Sequence, residues 1–172
     1  MTEPALARLR PAPGVSGLDD TELAALYTAG TGAGPFWLRV NFVASLDGAG
    51  TEEGLSGGLS DDADRRVFDI LRRLCDVVVV GAGTIRAEGY GAMRVDAASQ
   101  RARRAAGLTE HPVFAIVSAG LDLDPAGPIF HEAPECPLVL TSERSRASAR
   151  EALAEVADVV VCGAQRVEPR LL

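Results

Sequence analysis

Residues 76–84 read Asp76-Val77-Val78-Val79-Val80-Gly81-Ala82-Gly83-Thr84. Four valines in a row form a short, wholly apolar run, the pattern of a strand covered on both faces of a parallel sheet. Gly81 and Gly83 end it with a turn. Two readings of that turn stand side by side. In one it is only a tight strand-to-helix connection. In the other the glycines let the backbone approach a nucleotide, with the Thr84 hydroxyl as donor and N–H groups aimed at an anion. The full G-x-G-x-x-G fingerprint is absent, because Arg86 stands where the third glycine would fall.

The flanking sequence alternates helix and strand patterns. Before the valines, Ser60 is expected to cap a helix whose first turn holds Asp61, Asp62 and Asp64. Val67, Ile70, Leu71 and Leu74 form its buried stripe, with Asp61–Arg65 and Asp62–Arg66 as i,i+4 pairs. Residues 36–44, Phe-Trp-Leu-Arg-Val-Asn-Phe-Val-Ala, are aromatic and β-branched and predict a strand. Residues 45–58 then predict a loop. Residues 1–34 predict an arm: prolines 4, 11 and 13 loosen it, a short helix starts at Asp19-Asp20-Thr21 with Leu23 and Leu26 inward, and residues 30–35 break the chain. Beyond Thr84, residues 100–106 predict a short basic helix. Residues 113–118, 138–140 and 158–162 predict strands, with a loop over 120–128. Ser145 is expected to cap a helix reaching about residue 157, with Ala149, Ala152, Leu153 and Val156 inward. This alternation predicts one α/β domain over 35–172, a mainly parallel sheet with helices on both faces. Such sheets bind ligands beyond the carboxyl ends of their strands, here after Val43 and Val80.

Composition narrows the function. The 172 residues suit a single domain. A net charge of −7 argues against a general nucleic-acid surface, though a few arginines can still hold a small anion. Three scattered cysteines (Cys75, Cys136, Cys162) predict neither a disulfide framework nor a zinc site. They read as small core hydrophobes, and a reducing cytoplasm fits them. The two histidines, His111 and His131, lie in Pro-flanked stretches and read as surface, so no metal is expected. There is no apolar run long enough to span a membrane and no signal-peptide pattern at the start.

The chemistry-bearing candidates gather after the two expected strands. Ser45-Leu46-Asp47-Gly48 is either a plain turn or a carboxylate fixed at the ligand edge of the sheet. After Thr84 come Arg86, Glu88, Tyr90 and Arg94; Arg94 would bind a phosphate by bidentate hydrogen bonds. Arg72 is a solvated helix charge or one reaching toward the sheet edge. A hydrolase built on Ser45 or Ser56 lacks both a G-x-S-x-G elbow and a placed histidine.

Taken in order, V-N-F-V-A-S-L-D-G (40–48), G-x-S (54–56) and D-V-V-V-V-G-A-G-T-I-R-A-E-G-Y (76–90) resemble the reductase domain of riboflavin biosynthesis. That is the C-terminal domain of the bifunctional deaminase-reductase, with a dihydrofolate-reductase-like fold. The second block is similar to stand-alone pyrimidine-reductase-like proteins, and the resemblance covers about residues 35–162. It implies NADPH-dependent reduction of 5-amino-6-(5-phosphoribosylamino)uracil to the ribitylamino product, in a cytoplasmic homodimer. It implies that Ala44, Gly81, Gly83, Thr84 and Glu88 touch the cofactor. Asn41, Ser56, Arg72 and Arg94 would touch the substrate, the two arginines at its phosphate, and Asp47 would hold the loop at the junction of both ligands. Beyond the resemblance, Asp47 is expected to be the catalytic residue through direct proton transfer.

The chain departs from the family pattern in four ways. Asn41 stands where the family often has Lys. Gly58 stands where it has Trp. Glu88 replaces Asp, and the stretch to Arg94 is one residue short. The family domain also continues with a helix, a strand, an E-G-G-x-x-L turn that binds the cofactor diphosphate, and further strands. No E-G-G occurs in these 172 residues, so the C-terminal part is expected to be missing and the sheet incomplete. Two alternatives follow: a truncated, non-catalytic nucleotide-binding or scaffold module, and a reductase of a related pteridine-like substrate.

Overall fold

A computed structural model describes residues 6–8, 14–28 and 36–171. The expected break at 30–35 and the prolines of the arm lie outside them. The chain divides into two compact units, residues 1–74 and 75–172.

In the first unit a two-residue ladder pairs β1 (Ala7–Arg8) antiparallel with β2 (Val15–Ser16). Helix α1 (Asp20–Thr28) follows. Its start is a reciprocal cap: the Asp19 carboxylate accepts from the Glu22 N–H at 2.8 Å, and the Glu22 carboxylate accepts from the Asp19 N–H at 2.9 Å. Helix α2 (Asp62–Leu74) packs on α1 through a small cluster of Leu18, Leu23 and Ile70. Two sequence expectations change here. Asp61, rather than Ser60, caps α2, accepting from the Asp64 N–H at 2.8 Å, while the Ser60 hydroxyl donates to the Asp64 carboxylate. The i,i+4 pairs are also rewired: Arg65 meets Asp62 at 3.0 Å, and Arg66 reaches Asp20 of α1 at 2.7 Å. The Arg66 side chain is largely buried, so a cross-helix partner in a drier setting outcompetes a solvated one on its own helix.

Residues 36–44 are not a strand. Among the described residues they have no ladder partner, and Phe36, Trp37, Leu38, Val40 and Phe42 are exposed. β propensity describes fit to a pleated surface with neighbours, and without a partnered edge it stays unrealised.

The second unit runs β3 (Val77–Gly81), α3 (Ala82–Glu88), α4 (Ala97–Ala105), β4 (Val113–Val117), α5 (Pro128–His131), β5 (Leu138–Thr141), α6 (Ala147–Ala154) and β6 (Asp158–Val161). The four strands form one parallel sheet in the order β3-β4-β5-β6. The fold is thus the expected α/β type, with a parallel sheet. One face carries Val78, Val80, Phe114, Ile116, Val139 and Val159 against Ala82 and Ile85 of α3, Ile129 and Phe130 of α5 and Leu153 of α6. The other carries Ala115, Leu140 and Cys162, with Val167 packed against them. The valine run was expected to be covered on both faces. It is instead an edge strand, half-buried at Val78 and Val80 and exposed at Val77 and Val79. An all-apolar run does not state which end of the strand order it takes.

Local starts differ as well. Asp96 caps α4 by accepting from the Ser99 N–H at 2.7 Å, so that helix begins three residues before the basic stretch. Ser145 does not cap α6; its hydroxyl donates to the Ser142 carbonyl at 2.7 Å, and Arg146 takes the N-cap position. Ala152 is exposed, and of the cysteines only Cys162 is buried. No helix among the described residues is long and apolar enough to cross a membrane.

Arg103 of α4 is 1% exposed. Its guanidinium donates to the Thr109 carbonyl at 2.8 Å, the Cys75 carbonyl at 2.6 Å and the Thr109 hydroxyl at 3.3 Å. Burial lowers its pKa, and neighbouring Cys75, Asp76 and Glu135 act in the opposite sense. The group remains a cation, and it ties the chain entering β3 to the turn before β4. Replacing Arg103 with Met strands those acceptors and is expected to lower unfolding stability by about 2–4 kcal/mol. Urea denaturation measures it, and a loss under about 0.5 kcal/mol would show the network to be dispensable.

Candidate active site

In the first unit the site-bearing segment is a tight turn. The Gly48 N–H donates to the Ser45 carbonyl at 2.9 Å, and the Ser45 N–H donates to the Ala49 carbonyl at 3.0 Å. Gly48 sits at φ +87°, a conformation that disfavours any side chain. The Asp47 carboxylate accepts from the Ser45 hydroxyl and, at 3.2 Å, from the Ala49 N–H. These donors, the Ser45 hydroxyl first, hold its pKa below the usual carboxylate value of 3.8, with only slight opposition from desolvation. Asp47 is exposed and ionised at neutral pH. It lines an open hollow of about 450 Å³ with Ser45, Leu46, Ala49, Thr51, Glu52 and Leu59.

A second turn shapes that hollow. Glu52 and Leu55 exchange two backbone hydrogen bonds at 2.9 and 3.0 Å around Glu53 and Gly54, both at positive φ. Glu52 then lies against Gly58, where an added Cβ would come within 2.8 Å of its Oε2. The side chain of Glu52 thus occupies space beside the position where the family pattern carries Trp. Ser56 is half-buried and leads into the short helical turn Gly57–Leu59. Asn41 and Ala44 are exposed on the unpaired segment. Arg72, in the last turn of α2, stacks 4.1 Å over the Phe68 ring and lies 3.8 Å from Asp69. Neither Asn41 nor Arg72 lines the hollow.

In the second unit Gly81 ends β3 and is the N-cap of α3, with no side-chain cap. Among the described residues, then, no N-cap side chain takes up the N–H groups of the first turn of α3. Gly81, Gly83 and Thr84 are exposed, and a Cβ at Gly81 or Gly83 would meet nothing within 4 Å. The protein itself does not require those glycines for space. Thr84 and Glu88 are four residues apart, so they share a face of α3. Gly89 closes that helix in the left-handed conformation at φ +68°. Arg86 is tied to Asp122, donating to its carbonyl at 3.0 Å.

Arg94 is placed elsewhere. Its neighbour Val95 bonds to His111, two residues before β4 begins, whereas Gly81 lies at the far end of β3 in the parallel pair. The two sit toward opposite ends of the sheet, and one Arg94 nitrogen donates to the Glu132 carbonyl at the end of α5. His111, expected at the surface, is 7% exposed and hydrogen bonded. The available signal was its place directly before an apolar strand, where the chain enters the core.

A family model of the RibD C-terminal domain matches residues 36–172. Fourteen solved chains match, among them a pyrimidine reductase-like protein from Corynebacterium diphtheriae at 27% identity and a TM-score of 0.64. That match covers 71% of this chain and 53% of the other, so this chain spans about half the length of that relative. A comparison with curated proteins found no match. With the parallel sheet, the open glycine turn after its first valine strand and a family match running over residues 36–172, the chain belongs to the RibD C-terminal domain family.

Proposed function

We propose that this chain acts as a nicotinamide-dependent pyrimidine reductase of riboflavin biosynthesis, using NADPH to reduce 5-amino-6-(5-phosphoribosylamino)uracil to the ribitylamino product. The observation that carries the reading is the open turn at Gly81, Gly83 and Thr84. It presents N–H groups without a side-chain cap and a hydroxyl, and its two glycines leave room that no described residue fills. That is the cradle a dinucleotide needs, so the residues present fit the cofactor.

A bound NADPH supplies the hydride. The protein's part is to hold and polarise. Gly81, Gly83 and Thr84 approach the cofactor with backbone and hydroxyl, and Glu88 accepts hydrogen bonds from the same helix face. Ala44, in the first unit, is assigned to the cofactor by the family resemblance. In the first unit Asn41 and Ser56 offer the pyrimidine neutral hydrogen-bond partners and Arg72 offers a cation for a phosphate; in the second unit Arg94 is the cation offered to a phosphate. Asp47, held ionised by Ser45 and Ala49, is a poor proton donor at neutral pH. Its role is to stabilise positive charge that develops as the ribosylamino group opens and is reduced.

One observation favours the second reading, a nucleotide-binding module without turnover. Asn41 and Ala44 sit on a segment with no ladder partner among the described residues and five exposed large apolar side chains. NADPH titration followed by turnover with the pyrimidine separates the two. Micromolar binding with turnover supports the reductase, binding alone supports the module, and no binding by folded protein defeats both.

Gly83→Ala tests the cradle. Its Cβ meets nothing in the protein, and Ala favours helix, so stability should hold or rise by up to about 1 kcal/mol. Cofactor affinity should fall at least about tenfold, the weakening expected when bulk blocks close backbone approach. Unchanged NADPH affinity by calorimetry would remove the turn from the site.

Asp47→Asn should lower kcat by about 100-fold, within the range for a positioned catalytic group. Because the Asp47 pKa is depressed, the carboxylate is lost only as pH falls through a value below 3.8. Any limb of the rate profile owed to Asp47 therefore lies below that pH, and the wild-type rate should show no Asp47 limb between about pH 5 and 8. A wild-type rate that rises on acidification across that window, and loses the rise in Asp47→Asn, would make Asp47 a proton donor instead.

A further inference from the structure

Residues 89–96 contain no helix or strand, yet three groups hold the stretch around Arg94. Met93 is 5% exposed and sits in the core with Phe114 and Ile116. The Val95 N–H donates to His111 Nδ1 at 3.0 Å. The Val95 carbonyl accepts from Gln100 Nε2 at 3.0 Å. Arg94 lies between these anchors with its side chain exposed and one nitrogen bonded to the Glu132 carbonyl. Because His111 accepts at Nδ1, its imidazole carries its proton on Nε2. The His111 backbone is itself held: the Thr109 hydroxyl donates to the His111 carbonyl at 2.6 Å, and buried Arg103 holds Thr109.

We propose that His111 is a positioning residue. By accepting the Val95 N–H it fixes the backbone on which Arg94 stands. It thereby sets where the guanidinium meets the phosphate of a phosphomonoester ligand. The proposal rests on the reading of Arg94 as the phosphate-binding residue. An arginine on a loose loop surrenders backbone freedom as well as rotamers when it grips an anion. One on a pre-fixed backbone surrenders only rotamers, and binds more tightly for the same contacts. The hold is specific to one ring atom. An Asn amide oxygen falls near the place of Nδ1, whereas a Gln amide falls near the place of Nε2.

The test titrates ribose 5-phosphate and inorganic phosphate into the full chain and into H111N, H111Q and R94Q. Calorimetry reads affinity, and amide hydrogen exchange reads the Val95 N–H. H111N is expected to bind within about threefold of wild type with Val95 still protected. H111Q should bind about tenfold more weakly with Val95 exchanging faster, as loss of the acceptor of a half-buried N–H requires. Wild-type affinity in H111Q despite fast Val95 exchange would overturn the positioning role while leaving Arg94 in place. Unchanged Val95 exchange in both His111 variants would also overturn it. Wild-type affinity in R94Q would instead defeat the reading of Arg94, and the proposal with it. Should H111Q fail to fold, H111N decides alone: loss of Val95 protection or of affinity there overturns the role, and retention of both supports it.

Discussion

Parallel pairing of β3 with β4 is the constraint on which the second unit depends. Parallel neighbours cannot be joined by a hairpin, so residues 82–112 must travel back along the sheet before β4 begins. Everything chemically interesting in that unit lies on this crossover or at its ends: the glycine turn where it leaves, Glu88 in its first helix, Arg94 in its middle and His111 where it returns. Strand β4 anchors the arrangement. It is paired on both sides, and Phe114, Ala115 and Ile116 are all but fully buried. Val77 pairs with Val113 and Gly81 with Val117, so this register fixes how far the glycine turn stands from the returning chain.

Much of this was legible in sequence because it follows from patterns of single residues. The strands at 113–117, 138–141 and 158–161 announce themselves as β-branched runs, and alternation with helical stripes implies the parallel sheet. The Ser45–Asp47–Gly48 turn and the Gly81–Thr84 segment that ends β3 were also readable, since Gly and Asp are strong turn formers. Less readable were features that depend on which distant residue arrives. Nothing local tells Arg66 to pair with Asp20 rather than Asp62, nor identifies Arg103 among three arginines of one helix as the buried one.

Residues 36–44 show the same limit from the other side. Their composition is that of a strand, and five large apolar side chains on it are exposed. Hydrophobic alternation states what a segment is suited to, while a ladder requires a second backbone at hydrogen-bond distance. The valine run Val77–Gly81 repeats the lesson in milder form, because it is paired on one side only and is therefore covered on alternate residues.

The turn that bears Asp47 and the stretch that bears Arg94 achieve rigidity by different means, and the difference follows from charge. Asp47 is exposed, so solvent would ordinarily leave its carboxylate free to rotate; hydrogen bonds from Ser45 and Ala49 hold it and simultaneously favour its ionised form. One set of contacts thus orients the group and sets its charge. Arg94 needs no help to stay charged, since a guanidinium is a cation throughout the accessible range. Its contacts therefore act on the backbone instead, through Met93, Gln100 and His111, leaving most of the guanidinium's donors for an anion. A carboxylate is tuned at its own oxygens, whereas an arginine is tuned through the chain that presents it. That is why the residues supporting Asp47 are its immediate neighbours in sequence, and one of those supporting Arg94 lies seventeen positions away at His111.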